Sequence, residues 1–163
     1  MTGIITDNLT KASGLIKAAG GGGKVLQIVS ATHATEVDCT STSYTNSNLD
    51  VAITPSATSS KVLIYCNLCT SHVSGYVFYL TLYRDSTDLS GGDAQGMLML
   101  TSPSGHMKHG SGFIYLDSPS STSELTYSLY GRSETSGQSL KMCNGNSVGS
   151  IIAYEIDLSL IHI

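Results

Sequence analysis

The sequence predicts an all-β fold, an antiparallel β-sandwich preceded by a short N-terminal arm, and three observations predict it. Only 12% of the 163 residues are charged, about half the usual share, while Ser and Thr supply about a quarter. Apolar and polar residues alternate in short stretches, which is the period of a half-buried strand. Turn-forming clusters separate those stretches at roughly the 8–12-residue spacing of a sandwich. A chain of 163 residues can bury one core without disulfides or a structural metal.

Residues 1–23 stand apart as an arm and linker, since Gly20, Gly21, Gly22 and Gly23 form an unbroken glycine run. Asp7 or Asn8 can cap a helix with Leu9, Ala12, Leu15, Ile16 and Ala19 on one side. Gly14 inside it costs about 1 kcal/mol, and so short a helix is not stable alone in water. An arm with Ile4, Ile5, Leu9, Leu15 and Ile16, tethered by glycines, is suited to docking on another protein.

The sandwich domain spans 24–163. Its first strand, 24–30, carries Val25, Leu26, Ile28 and Val29 directly after the linker. Strands at 39–44 and 49–54 follow, the second closed by Pro55, which cannot donate to a ladder. In 61–69, Val62, Ile64, Cys66 and Leu68 share one face; in 76–84, Phe78, Leu80 and Leu82 do so. Short strands at 97–100 and 112–116 lie between clusters of Ser, Gly, Asp and Pro. Those at 124–131, 140–143 and 150–158 complete the set. The stretches 76–83 and 151–156 are apolar or aromatic on both faces, which predicts that a second copy covers the outer side.

A net charge of −4, with Lys and Arg scattered singly, argues against nucleic-acid binding. No apolar run approaches the length of a membrane helix and no leader of the export type is visible, so a soluble chain is expected. Cys39, Cys66, Cys69 and Cys143 are expected as free, mostly buried thiols. Cys66 and Cys69 have CxxC spacing, but in a strand residues three apart face opposite ways, unlike a redox pair at a helix N-terminus.

His106 and His109 are spaced for metal binding only if their loop curls and Asp93 approaches. In a three-fold oligomer they would have to lie near the axis. There is no GxSxG elbow, and Asp85, Asp88, Asp93, Asp117 and Glu124 sit mostly in turns, where capping is the default role. The glycine run before Lys24 lacks the P-loop pattern. No catalytic, cofactor or metal site is expected. Of the nine tyrosines, Tyr65, Tyr79, Tyr83, Tyr127, Tyr130 and Tyr154 fall in strands as sheet-face residues, whereas Tyr44 and Tyr76, near strand ends, are the better candidates for exposed contacts.

Three stretches, GKVLQIV at 23–29, ITPSATSSKVLI at 53–64 and SIIAYEI at 150–156, together resemble a group of small marine and cyanobacterial phage proteins. These are described as tail-fibre-like, decoration or other virion structural proteins. The segments LYRD at 82–85 and YLDSP at 115–119 fit the same pattern, so the resemblance runs from Lys24 to the end. It implies a jelly roll similar to the trimeric heads of tumour-necrosis-factor and complement proteins, with an apolar sheet around a three-fold axis. The expectation is a homotrimeric virion-surface protein assembled in the host cytoplasm. An arm of about 20 residues favours capsid decoration, with the major capsid protein as partner. The alternative is a tail-fibre or receptor-binding protein that meets a tail or baseplate protein and, through loops at 88–96 and 102–112, a host receptor.

Overall fold

The computed structural model describes residues 24–101 and 105–157. The predicted arm, with Ile4, Ile5, Leu9, Leu15 and Ile16, lies outside them. Eleven strands and one short 3-10 turn make up the described chain: β1 (Lys24–His33), β2 (Val37–Cys39), β3 (Thr45–Ile53), β4 (Lys61–His72), β5 (Val77–Arg84), β6 (Thr87–Asp88), β7 (Leu98–Thr101), β8 (Met107–Asp117), β9 (Leu125–Ser133), β10 (Leu140–Met142) and β11 (Gly149–Asp157), the turn being Asn144–Asn146.

All pairings are antiparallel. One sheet runs β1-β11-β4-β10-β2 with β8 also on β4; the other runs β3-β9-β5-β6 with β7 also on β5. Because β8 covers β4 from Val62 to His72, β11 and β10 share the opposite edge of β4, β11 along residues 61–67 and β10 along 70–72. The principal order in the first sheet is therefore β1-β11-β4-β8, and in the second β3-β9-β5-β7. The chain crosses between the sheets at almost every principal strand, which is the wiring of a jelly roll.

The core lies between the sheets. Val62, Ile64, Cys66 and Leu68 of β4 and Ile151 and Ala153 of β11 face Val51 and Ile53 of β3, Phe78, Leu80 and Leu82 of β5 and Tyr127 and Leu129 of β9, all buried. Tyr127 donates its hydroxyl to Asp117 Oδ2 at 2.7 Å, and Arg84 Nη1 reaches the same oxygen at 2.6 Å. One buried carboxylate thus pins the end of β8 to β5 and β9.

Several predicted boundaries move. β1 and β4 run three residues further than expected, and β8, expected at 112–116, begins at Met107 and takes in half of the loop expected at 102–112. Two further changes have a visible local cause. The strand expected at 39–44 ends at Cys39, and residues 40–44 form a bend. Here Ser43 N donates to Ser41 Oγ, and the Thr40 and Ser41 carbonyls accept from Gly137 and Ser133. Hydroxyl side chains and a neighbouring turn have replaced the ladder partners. The strand expected from residue 49 begins at Thr45 and contains a bulge between Asn46 and Asp50. There Asn48 adopts φ 60° and Asn46 Oδ1 accepts its N–H at 2.6 Å, while the hydroxyl of buried Ser47 donates to the Leu129 carbonyl.

The outer faces of the two sheets differ. On the β3-β9-β5 sheet, Tyr79 and Thr81 of β5 are buried by the protein's own chain. The Arg132 guanidinium lies 4.6 Å from the Tyr79 ring centroid and 5.5 Å from that of Tyr44, and it donates to the carbonyls of Ala94 and Thr42. Thr81 donates to Asp88. Gly96 permits this closure, since a Cβ there would fall 2.5 Å from the Tyr44 hydroxyl and 2.7 Å from the Leu80 carbonyl. The double burial of β5 is therefore intramolecular, and the second copy expected over it is not required there.

Candidate self-association face

The outer face of the β1-β11-β4-β8 sheet has no such cover among the described residues. Its side chains are those of parity opposite to the core, and the register lines them up in rows across all four strands. Ile28, Tyr154, Leu63 and Leu116 form one row; Ser30, Ile152, Tyr65 and Ile114 form the next; Thr32, Ser150, Asn67 and Gly112 form a third. None of these twelve residues is charged. Ile28 is 59% exposed, Ile114 63%, Leu116 49% and Tyr65 40%, so exposure is greatest on the two outermost strands. Val25 lies opposite Ile156, and Lys61, next in that row, ends the uncharged area there.

Local sequence explains how closely the strands of this face pack. Gly112 lets β8 approach β4 so nearly that a Cβ would stand 2.3 Å from the Cys66 carbonyl. Leu63, Tyr65, Ile114, Ile152 and Tyr154 are β-branched, aromatic or Leu, types that pack well on a pleated surface. An uncovered apolar sheet face is the kind of surface through which proteins associate.

No protein-family model matches the chain, and no characterised protein is similar enough in sequence to count as a relative. The face must be read on its own chemistry.

The other sites considered in the sequence fall elsewhere. Tyr44 is half-buried, its ring 6.1 Å edge-on from Tyr83, and Tyr76 packs against the core, so neither is the exposed contact expected. Cys66 is buried on the inner face while Cys69 is half-buried on the outer one; burial pushes the Cys66 thiol up to about 11, which makes it a poor nucleophile. All four cysteines are free.

Each of the four aspartates named in the sequence accepts hydrogen bonds within the fold. Asp85 accepts from Thr126 N, Asp88 from Ser90 N and Thr81, Asp93 from Gln95 N, and Asp117 from Arg84, Tyr127 and Ser118 N. Glu124 is exposed. His109 points between the sheets, its ring 5.4 Å from that of His72, and His106 lies exposed beside the same pocket. The inward His109 is thus turned away from the outer face where an axis between copies would run. Among the described residues no group of three or more His, Cys, Asp or Glu is placed to hold a metal ion.

Proposed function

We propose that this chain is a bacteriophage virion structural protein without enzymatic activity, a capsid decoration protein that assembles as a homotrimer through the outer face of β1, β11, β4 and β8. The observation that carries the reading is the uncharged apolar face spanning those four strands. A face without charge needs no oppositely charged partner and is complementary to a copy of itself. Its two outer strands, β1 with Ile28 and β8 with Ile114 and Leu116, are the most exposed. That distribution favours a head-to-tail arrangement in which the β1 flank of one copy meets the β8 flank of the next, and three copies close such a ring. The hydroxyl-rich, weakly charged composition suits a passive surface component, and the resemblance to phage structural proteins supplies the setting.

In this reading residues 1–23 are the anchor, laying Ile4, Ile5, Leu9, Leu15 and Ile16 on capsid subunits while the trimer caps their junction. Linking three arms raises their effective concentration, so individually weak contacts hold tightly together. The test is a pull-down of the purified protein, and of a version lacking residues 1–23, against empty capsids and separately against isolated tails. Arm-dependent binding to capsids, saturating near one trimer per local three-fold position, is the expected result. Binding to tails alone would replace decoration by the tail-fibre reading.

A further inference from the structure

His72 is the last residue of β4 and is 1% exposed. Its ring lies 5.2 Å from that of Phe78 and 5.4 Å, edge-on, from that of His109 on β8. Its Nδ1 approaches the Val73 carbonyl at 3.4 Å. Its Nε2 and the Nδ1 of His109 are both buried without a hydrogen-bond partner. The buried His72 imidazole, with an idle nitrogen and only the half-buried His109 ring and a phenyl ring against it, is costly to charge.

The surroundings supply no counter-ion. Along the ladders His72 lies opposite Met107 of β8 and Leu140 of β10, both apolar, and Phe78 of β5 covers it from the other sheet. The pocket beside it is lined by Ser71, Val73, His106, Ser139 and Lys141. Of the acids bonded to the pocket's Lys141 and Ser139, Glu36 is paired with the ammonium and Asp38 accepts from the hydroxyl, and neither makes a bond to His72. A proton on His72 would place a cation among an ammonium, two imidazoles and a phenyl ring.

We propose that His72, packed against Phe78 and His109, is an acid-sensitive latch, which when neutral closes the end of the sandwich where β4 meets β8 and β10, and when protonated opens it. Burial lowers the proton affinity of His72 below the ordinary 6.5, the Val73 carbonyl offsets part of this, and His109 adds to it. The unfolded or opened state therefore takes up the proton first. Stability of this end is complete above 6.5 and falls as pH drops from 6.5 toward the lowered value of the closed state. The latch lies on the inner face, so it stands whether or not copies associate through the outer one.

The experiment is hydrogen exchange on the full chain at pH 7.5 and 5.5, corrected for intrinsic rates. Amides of residues 107–111 and 140–142 are expected to open about tenfold more at the lower pH, relative to those of 62–66. His72→Phe cannot take a proton and should remove the difference; His72→Gln serves as a second neutral replacement if the phenyl ring overpacks. The titration of His72, followed by NMR, should have its midpoint below 6.5. An unchanged pH response in both variants, no local opening in the parent protein, or a His72 midpoint at or above the ordinary value would overturn the latch.

Discussion

Glu155 is 1% exposed and faces the inter-sheet side of β11, yet no cation among the described residues pairs with it. Its Oε1 accepts from Ser56 N, Ser56 Oγ and Ser60 Oγ at 2.6–2.7 Å, and its Oε2 from Gln27 Nε2 at 2.7 Å. Burial by itself would raise its proton affinity, but these donors outweigh it and hold the carboxyl down to about 2. The group ties the loop after β3, and β1 as well, to β11. In Glu155→Gln an amide NH₂ must face donors on at least one side, so a loss of about 2–3 kcal/mol is expected in urea titrations at pH 7. The carboxylate's contribution is present above its ordinary value of 4.5 and is lost as pH falls toward 2. The gap between parent and variant should accordingly narrow as the titration is repeated from pH 5 down to pH 3; a constant gap would contradict the assignment. In β11 Glu155 is in phase with the inward Ile151 and Ala153, but its four donors come from segments 95 or more residues away in sequence, which spacing cannot reveal.

At the level of elements, β8 depends on Gly112. A Cβ there would meet backbone atoms, the Cys66 carbonyl at 2.3 Å and Asn67 Cα at 3.1 Å, whereas one at Gly131 in β9 would meet the far ends of Met142 and Leu140 side chains at 2.7 and 2.9 Å. Backbone cannot yield without breaking the β4–β8 ladder, while side-chain tips can change rotamer. Gly112→Ala is expected to cost at least about 3 kcal/mol and Gly131→Ala about 1–2 kcal/mol, compared by thermal melts of the two variants; equal costs would mean that β8 can slide. Legibility follows the same division between local and distant causes. Strands such as 61–69 and 76–84 were readable because inward Val62, Ile64, Phe78 and Leu80 keep period two. The bend at 40–44 was not, because its carbonyls are claimed by the turn at 133–137. The double burial of β5 looked intermolecular in sequence because nothing local predicts that Arg132, Tyr44 and the loop through Gly96 fold over it.

For the whole molecule, the uncovered face should couple stability to concentration. If folding and trimerisation are linked, each hundredfold rise in protein concentration stabilises a chain by two-thirds of the corresponding mass-action term, about 1.8 kcal/mol. For a domain of this size that corresponds to a rise in Tm of roughly 4–8 °C. Ile114→Lys puts an ammonium at the most exposed apolar position of β8, outside the core, so the β-sheet circular dichroism spectrum should be unchanged. The concentration dependence of Tm should vanish, and sedimentation should move from trimer to monomer, because a desolvated charge without a partner opposes the contact. Ile152, half-buried on the same face and in the same row on β11, gives a second position for the same substitution. A parent protein that sediments as a monomer with a Tm independent of concentration would remove self-association from the proposed function. It would leave the apolar rows of β1, β11, β4 and β8 to be covered by a different protein, with capsid subunits the first to try.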